Sequence, residues 1–560
     1  MANSDEERIT YFAETDSRHE RKPFGIKSTD RSKHVYVIGK TGMGKSTLLE
    51  NMAIQDIKNG EGLAFIDPHG GTAEKLLEYI PEERIKDVLY LAPFDMDHPV
   101  SFNIMEDVGA NKRHLVVNGL MSVFEKIWED AWSARMAYIL QNTLLALLEY
   151  PGATLLAVNR MYTDKEFRNK VVANATDVSV KSFWVDEYAK YTDKYAQEAT
   201  PAIQNKIGQF AGNPLIRNII GQSKSSFDLR QIMDEKKIMI VNLSKGRVGE
   251  GNARLLGSML ITKIYLAAMS RADESSTALA KLPQFYLHVD EFQSFADKSF
   301  ADILSEARKY KLNLTMAHQY IEQMEEEVRD AVFGNVGTMI VFRVGAYDAD
   351  VLEKEFAPVF TAEDLVNLGL RQIYLKLMID SVSSPPFSAT TLPPIQLPRS
   401  SYVKEIVANS RQVFSRPRSE VEKNISDWHD EGKKVAPPVQ AASFKPAPAQ
   451  AVAPKPVPKA IDPRGFRERP APPPAPINKQ PEKISLSHLT LKTDNQRKPD
   501  VRRVSDLRDA LKAVVGNQPK TPIPPPVQAP VQPQPKSQPQ PQPQAKKEPS
   551  PEELKKILNV

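Results

Sequence analysis

The chain has 560 residues, a formal net charge of +4 and no cysteine. That length allows two or three domains with a sizeable core, and the absence of cysteine excludes disulfides, thiolate metal sites and cysteine catalysis. The charge is too small for this length to announce nucleic-acid binding from the total, so any such surface is local.

The opening Met1-Ala-Asn-Ser-Asp-Glu-Glu-Arg8 lacks the charged and apolar regions of a signal peptide, and no run approaches the ~18 apolar residues that span a bilayer. A soluble, cytoplasmic protein without direct membrane insertion is expected. Residues 1–30 are polar and charged and read as a short lead-in or partly ordered arm, with no element assigned. Next comes the apolar run Val35-Tyr-Val-Ile38, then Gly39-Lys-Thr-Gly-Met-Gly-Lys-Ser46, then Leu48, Leu49, Met52, Ala53 and Ile57 at helical spacing up to Asn59-Gly60. This is strand, phosphate loop, helix. The spacing G-x-x-x-x-G-K-S lets backbone N–H groups surround a β-phosphate, with Lys45 on the β/γ oxygens and the Ser46 hydroxyl on Mg²⁺. The helix N-terminus adds its partial positive charge. The candidate nucleotide-binding residues are Gly39, Lys40, Thr41, Gly42, Met43, Gly44, Lys45, Ser46 and Thr47.

Leu63-Ala-Phe-Ile66, ending in Asp67-Pro-His-Gly70, and Asp87–Ala92 continue the strand pattern. Apolar runs alternating with helices predict an α/β fold with a parallel sheet buried on both faces. The first part of this domain spans 31–104. From 105 to 225 only helical periodicity appears, which reads as an all-helical insertion. Its Trp128, Trp132 and Trp184 read as core more readily than as base-stacking platforms.

The sheet resumes over 226–398. Lys237–Asn242 is a strand, 251–272 a long helix, and Gln284–Val289 a strand running into Asp290-Glu291. Two acids at a strand end opposite a phosphate loop form the second half of a nucleoside triphosphatase site: Asp290 holds Mg²⁺ through water and Glu291 orients the attacking water. Strand 312–317 leads to Gln319 and strand 338–342 to Arg343. Ligands of open α/β sheets sit at the C-terminal ends of strands, so Asp67, Lys245, Asp290, Gln319 and Arg343 are expected on one edge. Arg343 and Arg308, the latter near the end of helix 301–310, are candidates for an arginine supplied to a neighbouring subunit's site. Loop 244–254 is a candidate for backbone contact with DNA, against the alternative of a mobile turn.

From 399 to 560 the composition turns to proline, alanine, glutamine and lysine, which predicts a disordered tail. Two capped amphipathic segments, 505–515 and 550–558, interrupt it, readable equally as docking peptides that fold on a protein partner or as residual helix of no consequence.

Gly39–Ser46, Ile66–Gly70, Asn213-Pro-Leu-Ile-Arg-Asn218, Ile240–Gly246, Val289–Phe292 and Ala317-His-Gln319 together resemble the HerA/FtsK-type motor ATPases, in the TraG/TraD-like branch of type IV secretion and conjugative DNA transfer. The likeness covers roughly 20–395. It implies a RecA-like P-loop domain with an all-helical insertion, a hexameric ring of identical subunits, and ATP-driven, Mg²⁺-dependent movement of DNA through a central pore. Lys45 and Ser46 match the family's Walker A residues, Asp290 and Glu291 its Walker B pair, and Gln319 the glutamine that senses the γ-phosphate. Membrane-bound coupling proteins of this branch usually begin with transmembrane helices, and no such run is present here. The alternative function is an ATPase motor or scaffold that acts on protein, in export or in recruitment through its tail.

Overall fold

A computed structural model describes residues 7–16, 20–106, 108–192 and 200–430. Its strands are β1 (Ile9–Thr15), β2 (Pro23–Lys27), β3 (Val35–Ile38), β4 (Gly62–Asp67), β5 (Val88–Leu91), β6 (Ile238–Asn242), β7 (Phe285–Val289), β8 (Leu312–His318), β9 (Thr338–Val341), β10 (Gln372–Lys376), β11 (Met378–Ile379), β12 (Val382–Ser383) and β13 (Phe387–Thr391). Eleven of them form one sheet in the order β2-β1-β13-β10-β9-β3-β8-β7-β4-β6-β5. The run from β9 to β5 is parallel, with Val37 of β3 between Ala317 of β8 and Ile340 of β9.

Alternation along each strand divides the core between the two faces of the sheet. Val35 and Val37 pack with Leu48, Leu49 and Met52 of the helix Lys45–Lys58. Tyr36 and Ile38 face the other way, into a core that continues through the helix Glu250–Met269 into the helices following β5. Between β5 and β6 the described residues contain helices and no strand. The helix Arg113–Ile127 lies so close to Glu250–Met269 that a Cβ on Gly119 would come within 2.4 Å of the Thr262 methyl. Trp128 is 2% exposed and stacks on Phe124 at 4.4 Å, Trp184 is 3% exposed, and Trp132 packs on Trp128 at 6.3 Å. Trp128 and Trp184 are core, and Trp132 packs against that core partly buried. Among the described residues no helix is long and apolar enough to cross a membrane.

Two sequence expectations are corrected. The lead-in is not without structure: β1 and β2 form the antiparallel margin of the sheet and bury Phe12, Ala13 and Ile26. A register shift between Tyr11 and Ala13 breaks the period-two pattern that reveals a strand, and the solvent side of an edge strand is polar. The tail does not begin at 399. Helices Val403–Phe414 and Arg418–Asp430 pack on the domain through Ile406, Phe414 and Val421, the Ser410 hydroxyl accepts the Tyr90 N–H, and the Trp428 carbonyl accepts from Arg160. The rest of the tail, including segments 505–515 and 550–558, lies outside the described residues.

Burial of the three apolar side chains contributes about 1.5–3 kcal/mol apiece. A chain ending at 400 is therefore expected to melt several degrees below a chain ending at 430. Coincident thermal melts would show that these helices contribute nothing.

Candidate functional site

The loop after β3 keeps its shape because it has little side-chain bulk and a large partner beneath it. A Cβ on Gly39 would come within 2.5 Å of the Phe342 Cβ, and one on Gly44 within 3.3 Å of the Phe342 ring. Gly42 and Gly44 hold φ of 78° and 119°, a backbone that only glycine adopts without strain. Both flanking strands clamp the loop: Gly39 N–H donates to the His318 carbonyl at 3.2 Å, and Lys40 N–H to the Arg343 carbonyl at 2.8 Å. Gly44 caps the helix Lys45–Lys58, whose first N–H groups open at the loop.

Lys45 is 5% exposed, and its ammonium donates to the Gly39 carbonyl at 2.6 Å and the Lys40 carbonyl at 3.3 Å. Burial lowers its pKa, and the nearby Glu291 and Asp290 carboxylates oppose that. The Ser46 hydroxyl donates to Asp290 Oδ2 at 2.9 Å. Asp290 is 3% exposed; burial and the charges of Asp67 and Glu291 raise its pKa against the Ser46 hydrogen bond. A carboxylate so placed is relieved by a cation, and hydroxyl plus carboxylate are hard oxygen donors of the kind Mg²⁺ takes alongside phosphate and water. Among the described residues no group of three or more His, Asp or Glu could hold a metal by itself.

Glu291 sits at φ 46°, ψ 50°, a strained position for a non-glycine residue, and Gln293 donates to its Oε2 at 2.6 Å. Gln319, at the end of β8, donates to Thr41 Oγ1 at 2.5 Å and bridges the two loops. Beneath it His318 is fully buried, with Nδ1 2.9 Å from the Tyr36 hydroxyl. Burial, with the Lys45 charge, pushes its pKa down to about 3 and leaves the ring neutral.

Lys45, Ser46, Asp290, Glu291, Gln319 and Arg343 thus gather on one edge. Arg343 is exposed, and its backbone abuts the loop of its own subunit. Arg308 is elsewhere: it lies in the turn Ala307–Tyr310 before β8, at the opposite edge of the sheet and exposed there. Its charge joins burial in pushing His34, just before β3, down to about 4. Asp67 spends its carboxylate on the N–H groups of His69 and Ala73 at 2.8 and 2.9 Å. In loop 244–254, Lys245 starts a short helix through its N–H to Pro68, Arg247 lies 3.4 Å over the Phe94 ring and pairs with Glu74, and Arg254 pairs with Glu250.

A buried network behind the site escaped the sequence reading. Arg31 makes two bonds to Asp56, at 2.5 and 2.9 Å, Asp56 also meets His288 Nε2 at 2.9 Å, and the Arg31 guanidinium lies 3.8 Å over Tyr286. Burial alone would raise the Asp56 carboxyl, but Arg31 and His288 hold it below its usual range. The network ties the loop helix to β7, two residues before Asp290. Its one local signal is an aspartate on an otherwise buried stretch of helix.

A family model described as Type IV secretory system Conjugative DNA transfer matches residues 7–347. No curated protein sequence matches the chain. Among solved structures, the plasmid coupling protein TrwB in complex with ADP and Mg²⁺ is similar at a TM-score of 0.50 and 14% identity, covering 70% of this chain and 97% of that one. The trigonal form of the bacterial conjugative coupling protein TrwB with sulphate is similar at 0.50 and 14%, covering 71% and 98%. VirB4 of Thermoanaerobacter pseudethanolicus scores 0.45 at 11% identity, with 71% and 98% covered. At these identities the likeness to TrwB is one of fold.

Proposed function

Because the chain belongs to the conjugative DNA transfer family of type IV secretory systems, we propose that it is a motor that hydrolyses ATP in a ring of identical subunits, six by family analogy, and uses the energy to move DNA. The observation that supports this most is the Ser46–Asp290 contact of 2.9 Å at the mouth of a glycine-built loop. It brings the two halves of a phosphate and metal site together from positions 244 residues apart.

The roles follow from placement. Lys45 and the loop N–H groups balance the charge of the phosphate chain. Ser46 and Asp290 would hold Mg²⁺, which when bound would supply charge neutralisation on phosphate oxygens. Glu291 orients water for attack, its carboxylate steadied by Gln293. Gln319 reads the same edge through Thr41, and Arg343 lies beside the loop of its own subunit. Arg308, exposed at the far edge, is the arginine available to a neighbouring copy.

Measuring ATP hydrolysis with and without single- and double-stranded DNA tests the reading. Stimulation of severalfold by at least one form is expected. Hydrolysis indifferent to both would favour a motor or scaffold acting on protein.

A further inference from the structure

Resting on the nucleotide-site reading, we propose that Arg371 is a second phosphate-positioning cation, placed over the outside of the phosphate loop at Gly44. It precedes β10 in a turn with Gly369, and its backbone adopts φ 64°. An arginine gains nothing locally from that conformation, which favours Gly or Asn. Three hydrogen bonds impose it. Arg371 N–H donates to the Met43 carbonyl at 3.3 Å, and its carbonyl accepts the Thr391 N–H at 2.9 Å and the Thr391 hydroxyl at 3.3 Å. The turn is thereby fastened to the phosphate loop on one side and to β13 on the other. The stem of the side chain follows the loop, its Cγ 3.8 Å from where a Cβ of Gly44 would stand.

The guanidinium of this half-buried residue takes part in no hydrogen bond or ion pair among the described residues. The chain treats other sheltered arginines differently: Arg31 and Arg271 are fixed by Asp56 and Asp234, and Arg84 by three backbone carbonyls. A planar fork of donors held on a strained backbone beside a phosphate loop fits the oxygens of a nucleoside di- or triphosphate. Lys45 reaches those oxygens as a point charge from within the loop, whereas Arg371 adds a directional contact from outside it.

The test is equilibrium binding of ADP and GDP by calorimetry to the full chain carrying Arg371→Asn or Arg371→Lys, with thermal melts of each variant free of nucleotide. Asparagine tolerates the backbone and removes the charge, so its nucleotide-free melting temperature is expected to equal or exceed that of the wild type. Its affinity for both nucleotides is expected to fall about tenfold. Lysine keeps the charge and loses the fork, and should recover part of the affinity. Wild-type affinity in Arg371→Asn overturns the proposal, as does a loss confined to one base. A loss that tracks a lowered melting temperature in both variants overturns it too, making the residue a buttress of the turn. Absence of ADP binding in the wild type itself would remove the nucleotide-site reading, and this inference with it; binding by the wild type together with an indifferent Arg371→Asn removes the inference alone.

Discussion

Lys45→Ala is expected to abolish ATP hydrolysis, with phosphate release falling at least about a hundredfold. The ammonium is the most deeply buried cation of the edge, and the Gly39 and Lys40 carbonyls aim it into the loop. Removing it leaves the phosphate chain facing Asp290 and Glu291 with less compensating charge. The fold should survive, because among the described residues the ammonium bonds only to the Gly39 and Lys40 carbonyls of its own loop, and that loop rests on Phe342. A variant that melts like the wild type and still hydrolyses ATP would contradict the site. The same variant locates the arginines. Mixed with Arg308→Ala subunits it should recover part of its activity, because Arg308 stands at the sheet edge away from its own loop and can serve a neighbour's intact site. Mixed with Arg343→Ala it should not, since the Arg343 backbone is bonded to Lys40 of the same chain. The reverse pattern, with co-assembly demonstrated, would exchange the two assignments.

Glu291→Gln is expected to bind ATP as the wild type does and to turn over about a hundredfold or more slowly. Glutamine keeps the shape, so the left-handed backbone and the N–H donated to Asp290 at 3.0 Å are retained. What is lost is the basic oxygen that aligns water. Binding of labelled ATP measured beside single-turnover phosphate release separates the two effects. Loss of binding would make Glu291 a metal ligand, and unchanged release would assign the water to another group.

The central sheet and the two stretches that meet at the candidate site were legible because their signals are local. Val35–Ile38 is buried on both faces and so reads as a continuous apolar run, the glycines are spaced by the loop they build, and Asp290-Glu291 ends a strand of the same kind. The direction of β8 alone implies that a residue before it, such as Arg308, stands away from the loop edge. Contacts made across long separations were not legible. Phe342 under Gly39, Arg371 beside Gly44, and Arg31 with Asp56 and His288 are pairings that no window of the sequence contains. The margins failed for another reason. In β1 a register shift scrambles alternation, and helices 403–430 bury a narrow stripe beneath a charged surface that resembles the composition following it.

The position of β8 between β3 and β7 makes the site a three-point gauge. Lys45 and Glu291 issue from strands two places apart, so their separation is set by two interstrand spacings of ~4.8 Å each, and Gln319 is mounted on the strand between them. The chain leaving that midpoint is anchored at once: Ile321 N–H is held by Asp348 at 2.9 Å, and Glu325 takes the Lys126 ammonium, also at 2.9 Å, on the helix Arg113–Ile127. Only the five residues 320–324 therefore separate the contact with Thr41 from the contact with the helix Arg113–Ile127. The phosphate edge and the helices that follow β5 are thus joined by one short stretch of chain, held at both of its ends.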